Sequence, residues 1–363
     1  MTPFRIDVDD AVLDDLRRRL DHTRWPDELD DTPWISGTSR DYLQELVEYW
    51  RDDFDWRAQE RALNAFAHFR ADVDGTNIHF IHERAQSGDG FPLILTHGWP
   101  STFFEMTKLI PLLTARGFDV VVPSLPGCGF SERPVKPGVA SRTNIARLWR
   151  LLMTDVLGYA RFGARGGDIG ASITALLGLD HADCVTAIHV SDPIRPHFDS
   201  PFTPAEERFL AEEADWMRRE GAYDFIQATK PQTLGYALND SPAGLASWIV
   251  EKYHGWSGRE LTKDELLTNI TIYWVTETIN SANRLYFERE RYLRKLGAGE
   301  RVTVPVAVAL FPADIDQPPR EYCERAYNVV RWTKMPRGGH FAAMEEPELL
   351  ANDIAEFFAN ATR

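Results

Sequence analysis

Short apolar segments that end in turn residues recur along this chain, and they constrain its fold more than any other feature. Examples are PLILTHG, FDVVVPSLPG, RFGARGGDIG, VTAIHVSD and VPVAVALFPAD, with helical patterns such as NIARLWRLLMTDVLG and ASITALLGLDH between them. Buried parallel strands have this continuous apolar character, and right-handed helical crossovers connect them. The alternation therefore predicts an α/β fold, with a mostly parallel sheet and helices on both of its faces.

Two other parts of the chain carry helical patterns with no strand signal. Apolar residues recur at helical spacing in residues 8–22, and residues 41–66 form a second helical region. Further along, Thr203 and Ser241 each precede a proline, the combination that marks a helix start. We predict a helical extension (1–75), two core segments (76–195 and 300–363) and a helical lid (196–299) over the carboxyl edge of the sheet.

The composition restricts the partners and the setting that we expect. The 363 residues include 40 Lys and Arg against 55 Asp and Glu, and they contain no basic run, which disfavours nucleic acid as a partner. The three cysteines are far apart and lack metal-ligand spacing, a pattern typical of a reduced, cytoplasmic protein. No apolar stretch approaches the ~20 residues that span a bilayer. We therefore expect a soluble, cytoplasmic protein.

The central catalytic candidate is Asp168, in the motif GGDIG between a strand pattern and a helix pattern. Glycines on both sides allow a sharp turn that presents the middle side chain above the sheet. This is the arrangement of a nucleophile elbow, with Asp in the place of the usual Ser. Helix capping is the competing explanation, because Asp is a common N-cap residue.

Three further segments follow strand patterns in the chain order that such an elbow requires. His340 comes after two glycines on the last loop, where a general base is expected. Asp314 directly follows the strand pattern VPVAVALF and is the candidate orienting acid, with Asp316 as a competitor two residues later. The motif HGWP follows PLILT, so the backbone N–H groups of Trp99 and Ile169 are candidates for an oxyanion hole.

Over nearly its whole length the chain resembles epoxide hydrolases of the microsomal type. The resemblance implies an α/β-hydrolase core, an N-terminal extension that wraps it, and a helical lid. It is compatible with a homodimer, and we expect no membrane anchor of the kind that the mammalian microsomal enzymes carry. The matching segments are HGWP (97–100), PSLPGCGFS (123–131), GGDIG (166–170), IQATKPQTLGYALNDSPAGLASWIVEKY (226–253), LLTNITIYW (266–274), FPADI (311–315) and GGHFAAMEEPELL (338–350).

The resemblance also implies a mechanism that needs neither a metal nor an organic cofactor. Asp168 attacks an epoxide carbon and forms an ester, while two lid tyrosines, which match Tyr223 and Tyr286, protonate the ring oxygen. His340, oriented by Asp314, then activates the water that hydrolyses the ester. Water is thus the second substrate.

The aromatic content of the lid indicates an apolar or aryl epoxide as the substrate, although packing explains the same residues equally well. The sequence does not identify the epoxide, and it leaves open whether the role is detoxification, catabolism or the tailoring of a metabolite. The lid tryptophans are Trp216, Trp248, Trp256 and Trp274.

Other functions compete with this one on the same residues. A hydrolytic dehalogenase shares the Asp nucleophile, but Ile169 stands where many relatives have Trp and offers no side-chain donor to a halide. A serine esterase lacks its G-x-S-x-G motif here, and Cys128 lacks the outer glycines of an elbow. A catalytically silent binding module on the same fold is the alternative from a different class.

Overall fold

A mixed sheet of nine strands forms the centre of the molecule, within the residues that the computed structural model describes (1–30, 33–191, 193, 201–292, 294, 296–297 and 299–361). The strand order is β1-β2-β3-β5-β4-β6-β7-β8-β9, and every pairing from β5 to β9 is parallel. This confirms the predicted α/β fold. The strands are β1 (Thr2–Pro3), β2 (His68–Val73), β3 (Thr76–Glu83), β4 (Phe91–Thr96), β5 (Phe118–Pro123), β6 (Phe162–Gly166), β7 (Val185–Val190), β8 (Val302–Leu310) and β9 (Tyr327–Lys334).

Helices cover both faces of this sheet and extend beyond its carboxyl edge. In addition to the α-helices there are a short 3₁₀ helix, Phe103–Met106, and a π-helical turn, Leu152–Val156. No described helix has the length and apolarity that crossing a membrane requires. The α-helices are α1 (Asp10–Asp21), α2 (Arg40–Asp52), α3 (Trp56–Leu63), α4 (Leu109–Ala115), α5 (Arg142–Leu151), α6 (Ile169–Asp180), α7 (Pro204–Glu220), α8 (Ala222–Thr229), α9 (Pro231–Asp240), α10 (Pro242–Trp256), α11 (Lys263–Thr276), α12 (Ile279–Arg291), α13 (Arg320–Glu324), α14 (Ala342–Glu345) and α15 (Pro347–Ala361).

The apolar strand segments are continuous because both faces of the sheet are buried. Along β4, Leu93 and Leu95 belong to one apolar cluster, whereas Ile94 belongs to the cluster on the opposite face. Successive side chains of a strand point to opposite faces, so a sheet covered on both sides needs apolar residues at every position. The same alternation is seen in β5, where Val121 faces the cluster of Ile94.

The N-terminal segment is not purely helical, which corrects one expectation. Residues 68–73 lie within the predicted helical extension but form β2, which pairs antiparallel with β3. The turn between the two strands is Asp74-Gly75, with φ values of +51° and +80°. An Asp-Gly pair with two positive φ angles is the preferred two-residue hairpin turn. This pair was therefore the local sequence signal for a β-hairpin.

The lid helices begin where their capping residues predict. The Thr203 hydroxyl accepts a hydrogen bond from the backbone N–H of Glu206, whose carboxylate accepts one from the N–H of Thr203, so the two form a capping box. Ser241 caps α10 by accepting from the N–H of Gly244. The predicted start of the lid, at residue 196, lies outside the described residues.

Candidate active site

The predicted site residues follow four parallel strands of the sheet, all at its carboxyl edge. Trp99 follows β4, Asp168 follows β6, Asp314 follows β8 and His340 follows β9. The strand order reverses around β4, which lies between β5 and β6. In open α/β sheets the crevice beside such a reversal is where ligands bind.

Asp168 sits on a tight turn that only small neighbours allow. Its backbone adopts φ +51° and ψ −130°, a conformation that residues with a side chain rarely take. A Cβ atom on Gly98 would lie 2.2 Å from Asp168 Oδ1, and one on Gly170 would lie 2.1 Å from the carbonyl oxygen of Thr96. Close approach of the β4 loop to the elbow therefore requires glycine at both positions. The Asp168 side chain forms no capping hydrogen bond with α6, so capping does not explain it.

The three polar side chains form a row, with His340 between the two carboxylates. His340 Nδ1 lies 2.7 Å from Asp314 Oδ1, and His340 Nε2 lies 3.5 Å from Asp168 Oδ2. A backbone bridge between Ala313 and Gly339 joins the two loops that carry the acid and the histidine. Of the two acids that the sequence left open, it is Asp314 rather than Asp316 that the geometry favours.

The exposure of these side chains separates the candidate nucleophile from its two partners. The side chains of His340 and Asp314 are each only 3% exposed, whereas that of Asp168 is 19% exposed. Of the three, only Asp168 thus keeps an appreciable surface for a substrate to meet.

The ionisable groups of this row shift one another's pKa values. Burial lowers the pKa of His340, but the carboxylates of Asp314 and Asp168 outweigh it and raise that pKa well above its usual value. Burial raises the pKa of Asp168, yet the His340 ring and the backbone N–H groups of Ile169 and Trp99 bring it below its usual value. At neutral pH the arrangement is therefore a carboxylate facing an imidazolium.

Two backbone N–H groups point at the candidate nucleophile. The N–H of Trp99 donates to Asp168 Oδ1 at 2.8 Å, and the N–H of Ile169 faces the same carboxylate. These are the two groups that the sequence assigned to an oxyanion hole. Trp99 lies on the loop after β4, and Ile169 is the first residue of α6. From these two places the N–H groups can stabilise a negative oxygen on the Asp168 carboxyl carbon.

Both predicted tyrosines reach this crevice from the lid and are buried there. The Tyr223 ring, on α8, stacks on Trp99 with centroids 5.4 Å apart. The Tyr286 ring, on α12, lies edge-on to Trp99 at 5.8 Å and to Tyr223 at 5.9 Å. Burial raises the pKa of Tyr286 well above its usual value, with further contributions from Tyr223 and Asp168, so the phenol stays protonated.

An ion pair fixes the spacing of the two tyrosine-bearing helices. Both guanidinium ends of Arg289 donate to the Asp224 carboxylate, at 2.7 and 2.8 Å. Asp224 follows Tyr223 directly on α8, and Arg289 follows Tyr286 by one helical turn on α12. Fork-like pairs of this kind restrict orientation as well as distance.

Sequence reasoning gave no role to two lid residues that contact the site. Trp256 was noted only as a lid aromatic, yet its ring lies 5.3 Å from that of Tyr223 and 5.1 Å from that of His340. The buried ammonium of Lys252 lies 4.5 Å from the centre of the Tyr223 ring. Their helical spacing of four residues on α10 was the available signal, because it places both on one face.

Another group beneath the site also escaped prediction. Glu105 is buried next to the crevice, and burial raises its pKa to about 7 despite the opposing influence of Arg165 and His340.

Among the described residues there is no cluster of His, Cys, Asp and Glu arranged to hold a metal ion.

Comparisons with known proteins agree with this architecture. The family model "Epoxide hydrolase N terminus" matches residues 1–106, and the "alpha/beta hydrolase fold" model matches residues 92–347. The chain is 41% identical to an epoxide-hydrolase-family protein of Stigmatella aurantiaca, over 99% of this chain and 84% of that relative. It is 36% identical to "Epoxide hydrolase 1" of Oryctolagus cuniculus, over 98% of this chain and 88% of the relative. The solved structure of Aspergillus niger epoxide hydrolase superposes with a TM-score of 0.90 at 31% identity, covering 99% of this chain and 96% of that one.

Proposed function

Because this chain belongs to the epoxide hydrolase family of the α/β-hydrolase fold, we propose that it hydrolyses an epoxide to a vicinal diol through a covalent ester on Asp168. The observation that carries the proposal is the crevice itself. A partly exposed carboxylate lies 3.5 Å from an imidazole and accepts from the backbone N–H of Trp99, and the buried rings of Tyr223 and Tyr286 pack against the Trp99 side chain. A carboxylate can displace at saturated carbon, and the phenols can protonate the oxygen that leaves.

Ring opening comes first. The Asp168 carboxylate attacks one epoxide carbon, the C–O bond to that carbon breaks, and the ring oxygen takes a proton from Tyr223 or Tyr286. The pKa of Tyr286 is raised chiefly by burial, which keeps its proton available until the alkoxide forms. The products of this step are an ester on Asp168, a hydroxyl on the neighbouring carbon and a tyrosinate in place of the phenol that gave the proton.

Ester hydrolysis follows and changes the state of His340. Once Asp168 is esterified, its negative charge is gone, and one of the two carboxylates that raise the pKa of His340 no longer acts. The pKa of His340 then falls, so the imidazolium releases its proton, which replaces the one that the tyrosinate lost, and the neutral ring can accept a proton from a water molecule. As it gives up that proton, the water attacks the ester carbonyl carbon, and the oxyanion is stabilised by the N–H groups of Trp99 and Ile169. The oxyanion then collapses, the ester C–O bond breaks and the diol leaves with the proton from His340. The new Asp168 carboxyl returns its own proton to His340, which restores the starting carboxylate and imidazolium.

An apolar or aryl substituent suits the surroundings of Asp168. Ile169 is buried on one side, and the rings of Trp99, Trp256 and Tyr223 stand on the lid side. Such surfaces favour an apolar group over a charged one, because a charge buried against them without a partner is costly. We propose an epoxide with such a substituent as the substrate and water as the second substrate.

A parallel assay tests the reaction class. The purified protein is incubated with a panel of aryl epoxides, alkyl epoxides and haloalkanes, and both diol and halide are measured. We expect diol from the epoxides and no halide release. Halide release without diol would instead support a dehalogenase, and binding of epoxides without turnover would support a silent binding module.

A further inference from the structure

Glu345, the last residue of α14, is a buried carboxylate that takes no part in the mechanism described above. Its Oε1 accepts a hydrogen bond from the backbone N–H of Phe341 at 3.0 Å. Its Oε2 accepts from the N–H of Gly339 at 3.0 Å and from the N–H of Gly258 at 2.6 Å. Two of these donors flank His340, and the third lies in the lid, between α10 and α11.

Around this carboxylate the lid and the histidine loop are in direct backbone contact. The N–H of His340 donates to the carbonyl oxygen of Trp256 at 2.9 Å. A Cβ atom on Gly339 would lie 2.5 Å from the nitrogen of Gly258, and one on Gly258 would lie 2.6 Å from the carbonyl carbon of Gly338. The two segments therefore meet without intervening side chains, and Glu345 spans the junction.

A carboxylate suits this junction better than any neutral side chain of similar shape. Three N–H groups converge on it, and an ionised carboxylate is purely an acceptor with two oxygens. An amide offers only one acceptor oxygen, and its NH₂ group would face at least one backbone donor. Burial without a partner is costly for such a donor.

We propose that Glu345 is a positioning residue for ester hydrolysis, which holds the His340 ring at the angle needed to activate water and ties it to the lid through Gly258. The inference rests on the proposed epoxide hydrolysis. It predicts an unequal effect on the two steps, because His340 acts as a base only in the second. The tyrosines that serve the first step are held by a separate ion pair, Asp224–Arg289.

The test compares Glu345→Gln with the matched control Glu346→Gln. Glu346 is the next residue, and its carboxylate pairs with the side chain of Arg337, whereas the backbone N–H groups that flank His340 donate to Glu345. Rapid quenching followed by mass spectrometry measures ester formation and ester hydrolysis separately. We expect Glu345→Gln to slow hydrolysis roughly 10- to 100-fold, as a displacement of about 1 Å does, and to accumulate ester. Ester formation should change less than about threefold, and Glu346→Gln should match the wild type.

A conservative variant distinguishes positioning from a loss of folding. Glu345→Asp keeps the charge but is shorter, so hydrolysis should be slowed to a lesser degree than with Gln. If the Gln variant does not fold, ester accumulation in Glu345→Asp supports the proposal and wild-type rates overturn it. Equal slowing of both steps in Glu345→Gln also overturns it. Absence of any ester in the wild type and in His340→Gln would instead contradict the proposed function.

Discussion

At the scale of single residues, the proposed mechanism depends on charges that change during the reaction. His340 lies between two carboxylates, and these raise its pKa against the effect of burial. In the mechanism that we propose, esterification of Asp168 removes one of them, so the same ring is an imidazolium before ring opening and a base after it. The nucleophile and the base are thereby coupled through a separation of 3.5 Å.

Replacing His340 with Gln should separate the two steps. Asp168 is unchanged in this variant, so ring opening should continue, while no base remains to activate water. We expect the ester to persist as a mass increment equal to one substrate molecule on the intact protein. Asp168→Asn is the control and should show neither turnover nor the increment. An unmodified His340→Gln protein after incubation with a good substrate would argue against the ester.

Replacing both tyrosines with Phe should remove ring opening. A positioned general acid contributes roughly 10²- to 10⁴-fold to a rate, and the rings of the two tyrosines lie 5.9 Å apart. We expect either single variant, Tyr223→Phe or Tyr286→Phe, to keep residual ester formation and the double variant to lose it. Rapid-quench measurement of the ester provides the test, and near wild-type ester formation in the double variant would exclude both phenols as acids.

At the scale of elements, the sequence predicted which loops meet but not how the lid is held over them. Parallel strands place their carboxyl ends at one edge, so residues that follow β4, β6, β8 and β9 were expected to converge. The contact of α8 with α12 through Asp224 and Arg289 was not predictable, because it depends on how two helices pack. The β2 strand was missed because a helical neighbourhood obscured its Asp-Gly hairpin turn.

Breaking the ion pair between these helices should weaken the lid and slow the first step. Arg289→Met leaves the Asp224 carboxylate largely buried without its partner. Since the pair keeps some solvent exposure, we expect a loss of roughly 1–3 kcal/mol in the free energy of unfolding, less than for a fully buried pair. Ester formation should slow more than ester hydrolysis. Denaturant unfolding and rapid-quench kinetics measure the two effects, and equal slowing of both steps would contradict the account.

At the scale of the whole molecule, two apolar clusters enclose a sheet that also buries several histidines. His68 Nδ1 and His79 Nε2 are 2.9 Å apart, and His79 Nδ1 lies 2.8 Å from the Ser124 hydroxyl. Burial lowers the pKa of both rings, and it lowers those of His82 and His97 to about 4. The composition did not indicate this, because it is the packing of β2, β3 and the loop after β4 that places these rings in the interior.

These histidines should make the fold sensitive to mild acid. In the unfolded chain each has a pKa near ~6.5, so below that pH the unfolded state binds protons that the folded state does not. The contribution of these neutral rings to the free energy of unfolding should be complete above pH ~6.5. It should decline as the pH falls toward about 4. His340 acts in the opposite sense, since its raised pKa adds stability that is lost only as the pH rises through that value.

The midpoint of denaturant unfolding, measured between pH 7.5 and 4.5, checks this balance. We expect the denaturant concentration at the midpoint to decrease as the pH is lowered below about 6.5. The decrease should be smaller in His82→Gln, because glutamine cannot be protonated. His82 is the suitable position because its hydrogen-bond partner, the Tyr159 hydroxyl, belongs to a residue that is only partly buried. A midpoint that stays constant over the whole range would contradict the assignment of neutral buried rings.

The most direct test of the central claim is the fate of oxygen in a single turnover, with enzyme in excess over epoxide in water enriched in heavy oxygen. If Asp168 forms the ester and water attacks its carbonyl carbon, the first diol should carry an unlabelled oxygen from the enzyme. The peptide that contains Asp168 should then gain one heavy oxygen atom, measured by mass spectrometry after digestion. A labelled diol together with an unlabelled Asp168 peptide would mean that water attacks the epoxide directly, and the ester would have to be abandoned.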